Sequence, residues 1–218
     1  MIRGGKVRSR VAAAWRLAAL LGLAWMLGPE PAPAALPSAH AADIARIEGY
    51  LNDLTTLRSD FVQINPDGGT VTGAFYYQRP DKMRLDYDPP SPILIISDGW
   101  HVIYYDRKLE QVSHLLINST PLGFLLSDQI RLSGEVTVTD VARANGELNV
   151  TLIQTDEPNQ GSIQLTFAEA PLELRRWTLV DAQGRATYVM LEALETGMPL
   201  DRELFRFRNP QFYPGARN

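Results

Sequence analysis

Over much of this chain, hydrophobic and polar residues alternate one by one. In Lys82-Met83-Arg84-Leu85-Asp86-Tyr87-Asp88, Met83, Leu85 and Tyr87 fall on one side and the charges on the other. That is the period of a half-buried β-strand. Residues 93–96 and 102–105 flank Ser97-Asp98-Gly99-Trp100, whose Asp-Gly pair is a hairpin signal. Strand-like runs also fall at 71–77, 109–114, 135–141, 148–154, 162–167, 172–179, 186–191 and 204–207. Turn clusters separate several of them, among them Asn145-Gly146, Glu157-Pro158-Asn159 and Asp181-Ala182-Gln183-Gly184. About ten short antiparallel strands in series predict a mainly β domain, a barrel or a strongly curved sheet.

Two segments break the strand rhythm. From Asp43, the residues Ile44, Ile47, Leu51, Leu54 and Leu57 recur every three or four positions, which predicts an amphipathic helix over 43–58 with Asp43 as its N-cap. The second segment, 118–127, carries a cap residue followed by Pro121 at the first helical position. Leu122, Leu125 and Leu126 line one face of this short helix and Phe124 lies off it, so it is apolar nearly all round and must be covered on more than one side. Such a helix is either a plug that closes the end of the sheet or a lid over an apolar cavity. A barrel of this strand count can enclose a cavity for a small ligand. Candidate walls are Met83, Leu85 and Tyr87 from the strand, and Ile47, Leu51 and Leu54 from the first helix.

Residues 1–41 have a different character. Arg3, Lys6, Arg8, Arg10 and Arg16 form a basic head, followed by the uncharged run 17–28, a Pro-rich stretch and Ala39-His40-Ala41. The run is shorter than the roughly 20 residues a membrane-spanning helix needs, and it fits the apolar core of a cleaved secretory signal. The expected cut follows Ala41. Five of the 21 basic residues and one of the 25 acidic ones would leave with it, so the remainder carries 16 against 24, a net charge of −8. A surface of that sign repels nucleic acid phosphates and anionic lipid headgroups.

Motifs for chemistry are missing. The 218 residues contain no cysteine, which excludes disulfides, thiol catalysis and a lipid-modified cysteine. There is no G-x-S-x-G elbow, phosphate-binding glycine loop, G-x-G-x-x-G or H-E-x-x-H. His101 and His114 fall on neighbouring expected strands without paired carboxylates, which argues against a metal site. Asp86 and Asp88 alternate with Arg84 and Lys82, as on a solvated charged face. The reading is a non-enzyme with no cofactor.

The run Gly73-Ala74-Phe75-Tyr76-Tyr77-Gln78-Arg79-Pro80-Asp81-Lys82-Met83-Arg84-Leu85-Asp86-Tyr87 resembles the LolA family of outer-membrane lipoprotein carriers. So do Pro90, Ile95-Ile96-Ser97-Asp98-Gly99, Tyr104-Tyr105-Asp106 and Leu109-Glu110-Gln111-Val112 after it. Phe61-Val62-Gln63, Thr120-Pro121 and the closing Phe205-Arg206-Phe207 before Pro210 extend the similarity over nearly all of 43–210. Leu85 stands where the family often has tryptophan.

The resemblance implies a single unclosed antiparallel barrel of about ten to eleven strands, covered by short helices that form a lid over an apolar cavity. It implies a periplasmic monomer that receives lipoproteins from an inner-membrane ABC transporter of the LolCDE type. The carrier would shield their acyl chains and deliver them to the outer membrane, through the receptor LolB where one is present. LolB shares the fold but is itself a lipoprotein, so a cysteine-free chain fits the carrier. Arg79 matches the family arginine that hydrogen-bonds the lid backbone and holds the empty cavity shut. The alternative is a carrier or sensor of free lipid or glycolipid on the same scaffold.

Overall fold

The structure, a computed structural model, describes residues 38–117, 120 and 122–213. The expected basic head and apolar run of a signal segment lie outside the described residues. One α-helix, α1 (Ser38–Asp53), precedes eleven strands. These are β1 (Thr56–Ile64), β2 (Thr70–Gln78), β3 (Lys82–Tyr87), β4 (Ile93–Asp98), β5 (His101–Asp106), β6 (Gln111–Leu116), β7 (Val136–Ala144), β8 (Glu147–Gln154), β9 (Gly161–Glu169), β10 (Leu172–Asp181) and β11 (Ala186–Thr196).

All eleven strands make one antiparallel sheet in the order β6-β5-β4-β3-β2-β1-β11-β10-β9-β8-β7. Consecutive strands pair throughout except β6 with β7, and β1 also pairs with β11. That pairing brings the two ends of the sheet-forming region together and leaves β6 and β7 as the edges. The barrel is therefore unclosed, and the chain crosses between its two free edges through residues 117–135. The Asp98-Gly99 turn forms as expected: Asp98 Oδ1 accepts from the amides of Trp100 (3.0 Å) and His101 (2.9 Å).

Inward positions of most strands merge into one core. Phe61, Leu148, Val150, Leu152, Leu165 and Phe167 in it are all but inaccessible to solvent, and each such side chain contributes roughly 1.5–3 kcal/mol of burial. Leu94 and Ile96 are equally buried but on the opposite face, beside Asp86 and Arg84. Gly73 is fixed by packing. A Cβ there would sit 2.7 Å from the Phe61 ring and 2.2 Å from the Asp86 carbonyl, so only glycine lets that ring cross β2.

Three expectations need correction. The first helix ends at Asp53, and Thr56–Ile64 is a strand, so Leu57 is a sheet residue and the helix spans 38–53 instead of 43–58. The Leu54–Leu57 spacing fits a helix, but pairing with both β2 and β11 claims the segment. Asp43 is not a cap. It lies within α1, buried, and ion-pairs Arg143 of β7, with Arg143 Nη1 donating at 2.7 Å. Finally, 204–207 is no strand: Arg202–Phe205 is a 3-10 turn whose first amides are capped by Asp201, Oδ1 accepting from the Glu203 amide at 2.9 Å.

That last turn also changes the reading of the charged face of β3. Arg84 is buried and reaches Asp86 Oδ2 (2.6 Å) and the Leu204 carbonyl (3.0 Å). Arg107 holds the other oxygen of Asp86 at 2.7 Å. Phe205 is buried and Phe207 packs edge-on against Tyr105 at 5.4 Å. Arg84 and the half-buried Asp86 therefore clamp the C-terminal segment, while Asp88 stays on the solvated face the sequence suggested.

Candidate functional site: a hydrogen-bonded lid over an apolar interior

Between the two free edges, the chain lies against the barrel as a short 3-10 turn, Gly123–Leu126, followed by an irregular segment to residue 135. The expected α-helix over 118–127 is thus a single tight turn. Gly123 makes it possible: its amide donates to the Thr120 carbonyl at 2.9 Å, and a Cβ there would collide with the Ile117 carbonyl at 2.2 Å. A longer helix would drive side chains into the chain that enters it.

The backbone of this segment is tied to the barrel and to α1 at successive points. The Tyr77 hydroxyl donates to the Leu125 carbonyl at 2.6 Å. The Asp81 amide donates to the Leu126 carbonyl at 3.0 Å. Arg79 Nη2 donates to the Asp128 carbonyl. The Asn52 side chain pairs with Ile130 in both directions, Nδ2 to the carbonyl at 2.8 Å and Oδ1 from the amide at 3.0 Å. Glu48 Oε1 accepts from the Leu132 amide at 2.6 Å.

Arg79 is the joint of this arrangement. Its Nη1 donates to the carbonyls of Leu51 (3.2 Å) and Asn52 (2.8 Å). Those carbonyls close α1 and have no partner within the helix, and the negative end of the helix dipole favours a cation there. One planar guanidinium thus joins the end of α1 to the segment after the 3-10 turn, which suits a side chain with five donors in a fixed fork. Burial pushes the Tyr77 phenol well above its ordinary value, so the hydroxyl remains a donor at any physiological pH. The Asp81 carboxyl is raised by burial and by the neighbouring Asp128.

Beneath the segment lies a cavity of about 30 Å³ with almost purely apolar walls. Leu51 and Leu54 come from the end of α1 and the link after it, Leu57 from β1, Phe75 and Tyr77 from β2, and Met83 from β3. Leu174 and Trp177 of β10 complete the walls, and Leu122, Leu125 and Leu126 form the roof. By volume it has room for about two water molecules. The space under the roof is therefore smaller than the ligand-sized cavity expected from the strand count, because the roof leucines fill it. Anything longer enters only if residues 122–132 move.

Of the expected site residues, Leu51, Leu54, Met83, Leu122, Leu125 and Leu126 converge here with Arg79 at the rim. Ile47, Leu85, Tyr87 and Phe124 are buried in the surrounding core instead of lining the cavity. Tyr87, pushed up to about 12 by burial, donates to Gln63 Oε1 at 2.7 Å. Tyr77, Asn52, Glu48 and Trp177 escape sequence reasoning. An inward tyrosine on a strand reads as core, and the Asn52–Ile130 pair joins residues 78 positions apart. The rings of His101 and His114 meet edge-on at 5.9 Å, and among the described residues no group of three metal-ligating side chains exists.

An unclosed sheet with an apolar interior under a hydrogen-bonded roof is a scaffold for a carrier of apolar cargo. The family model for LolA, outer membrane lipoprotein carrier protein, matches residues 52–208, and the chain belongs to that family. It is 33% identical over 175 residues to an outer-membrane lipoprotein carrier protein of Methylococcus capsulatus, covering 76% of this chain and 83% of that one. To its counterpart in Alkalilimnicola ehrlichii it is 31% identical over 211 residues, covering 89% and 91%. Among solved structures it is similar to a LolA superfamily protein from Nitrosomonas europaea, with a TM-score of 0.42 at 9% identity over 75% of this chain and 97% of that one. The family is one of carriers, not of enzymes.

Proposed function

We propose that this protein is a periplasmic carrier that takes the acyl chains of lipoproteins under the segment 122–132 and releases them at the outer membrane. The observation that supports this most is the roof itself, an apolar closure whose polar ties, from Tyr77, Arg79, Asn52, Glu48 and the Asp81 amide, all go to its backbone. Such a roof can leave without exposing a buried charge on the cargo side.

Burying one methylene is worth about 0.8 kcal/mol, so several acyl chains represent tens of kcal/mol before costs. A rigid pocket of that capacity would not let go. Here cargo competes with closure. Opening breaks the bonds made by Arg79 and Tyr77 and withdraws Leu122, Leu125 and Leu126 from the core, so net affinity is reduced by that cost. Loading then draws on an energy source, an inner-membrane ABC transporter of the LolCDE type, and unloading to an acceptor such as LolB runs downhill. Arg79 is the latch. Export is by residues 1–41 as a cleaved signal. A cut after Ala41 removes the first turn of α1 and leaves Asp43 in the new first turn, where the helix dipole favours a carboxylate.

Incubating the purified protein with spheroplasts tests the reading. Lipoproteins appearing in the supernatant only when the protein is added support it. Absence of lipoprotein, with free lipid or glycolipid recovered on the protein by mass spectrometry, replaces it by lipid carriage on the same scaffold.

A further inference from the structure

A second cavity, of about 270 Å³, opens at the opposite end of the barrel from the roof. Its walls include Val136, Leu152, Ile163 and Leu179, with Thr187 beside them and Asp181 and Arg185 at the mouth. Leu152 pairs with Ile163, Ile163 with Leu179, and Leu179 with Thr187. Directly opposed residues of an antiparallel sheet point to the same face, and this is the face that carries Leu165 and Trp177, one inward position further along. The cavity therefore has the barrel interior as its apolar wall and opens past the strand ends at Gln154, Gly161 and Val180.

Trp177 also lines the small cavity under the roof. Along β10, the inward positions Leu174, Trp177 and Leu179 run from one cavity to the other, the β-bulge between Leu174 and Arg176 accounting for the odd step. Five residues of strand span about 15 Å, which matches the length of an acyl chain in one leaflet of a bilayer core about 30 Å thick. Along β10, Trp177 lies between Leu174 at the near cavity and Leu179 at the far one, in a row with Leu165, Val150 and Val189.

We infer that the far cavity is the seat for the distal end of a long acyl chain, with the Trp177 side chain as a partition that turns aside to admit it. The inference rests on the carrier reading above. A short chain occupies only the space freed by the roof. A long chain passes Trp177 and buries its terminal methylenes among Leu152, Ile163 and Leu179, and the polar mouth at Asp181 and Arg185 marks where the apolar path ends.

The test compares binding of a short neutral peptide carrying an octanoyl or a palmitoyl group, by calorimetry, to the wild-type chain and to Leu179→Trp, which fills the far cavity. Thr187→Phe fills it from the neighbouring strand at a half-exposed position and decides the matter if Leu179→Trp does not fold. Palmitoyl affinity should fall about tenfold, as the loss of two buried methylenes requires, while octanoyl affinity stays unchanged. Equal palmitoyl binding by wild type and filled variants, or an equal loss for both chain lengths, overturns the far seat and leaves the carrier reading standing. Failure of both peptides to bind the wild-type chain overturns the carrier reading and the far seat with it.

Discussion

Arg79 and Tyr77 share the work of holding the roof, but they do it differently. Arg79 binds two elements at once, so Arg79→Leu removes one of the ties between the roof and α1, leaving those of Asn52 and Glu48, and should shift the protein toward an open form. Cargo should still load, and onward transfer to an outer-membrane acceptor should become slow; transfer at the wild-type rate would remove the latch role. Tyr77→Phe deletes one hydroxyl and leaves the Leu125 carbonyl without its partner, a loss of about 1 kcal/mol. Amide hydrogen exchange over 122–127 should quicken several-fold while the strands keep their protection, and unaltered exchange would show that the bond holds nothing. Leu125→Glu sets a charge against the apolar walls from a half-exposed position, so the fold should survive. Acyl-peptide affinity measured by calorimetry should drop at least tenfold, since an unpaired charge is costly to bury. Arg79 was legible because the Arg-Pro step matches a family pattern. Tyr77 was not, because its partner lies 48 residues away and nothing local distinguishes a bonded phenol from a packed one.

At the scale of elements, strands with clean alternation and polar turns were legible, and the errors fall where local pattern and tertiary pairing disagree. Leu54 and Leu57 continue the helical spacing of α1, yet β2 and β11 offer Thr56–Ile64 a full set of backbone partners on both sides. The run at 204–207 has strand-like composition but lies against β3 and β4, which are already paired on both sides, so it folds as a capped turn over β3. That turn yields a pH prediction. Burial raises the Asp86 carboxyl, but hydrogen bonds and charge from Arg84 and Arg107 outweigh it and hold the group below its ordinary value. A carboxyl lowered by folding stabilises the fold above its unfolded pKa of about 4 and loses that contribution as pH falls through the folded value. Melting temperature should therefore decline on acidification below about pH 4, and Asp86→Asn should flatten that part of the profile. It should also lower stability at neutral pH, because Arg84 stays buried without its carboxylate. An identical acid limb in wild type and variant would contradict the clamp.

For the molecule as a whole, the decisive feature is that the sheet never closes. The β1–β11 pairing fixes the middle of the barrel, and on the proposed function the link between the edge strands β6 and β7 is its movable wall. A closed barrel of the same strands would hold its interior permanently; an unclosed one can, as proposed, exchange side chains of its own for cargo. That choice was only half legible. Apolar residues on all sides of 122–126 favour a plug over a lid on periodicity alone, and the proposal of a lid rests on the side chains that grip the backbone without covering it. Spin labels at two exposed positions, Gln129 on the roof and Arg58 on β1, measure the motion directly, and the absence of native cysteine makes the double-cysteine variant specific. A single short distance should lengthen when a palmitoylated peptide saturates the protein, and in Arg79→Leu the longer distance should be present without any peptide. One unchanging distance in all three samples would contradict an opening roof and the carrier mechanism built on it.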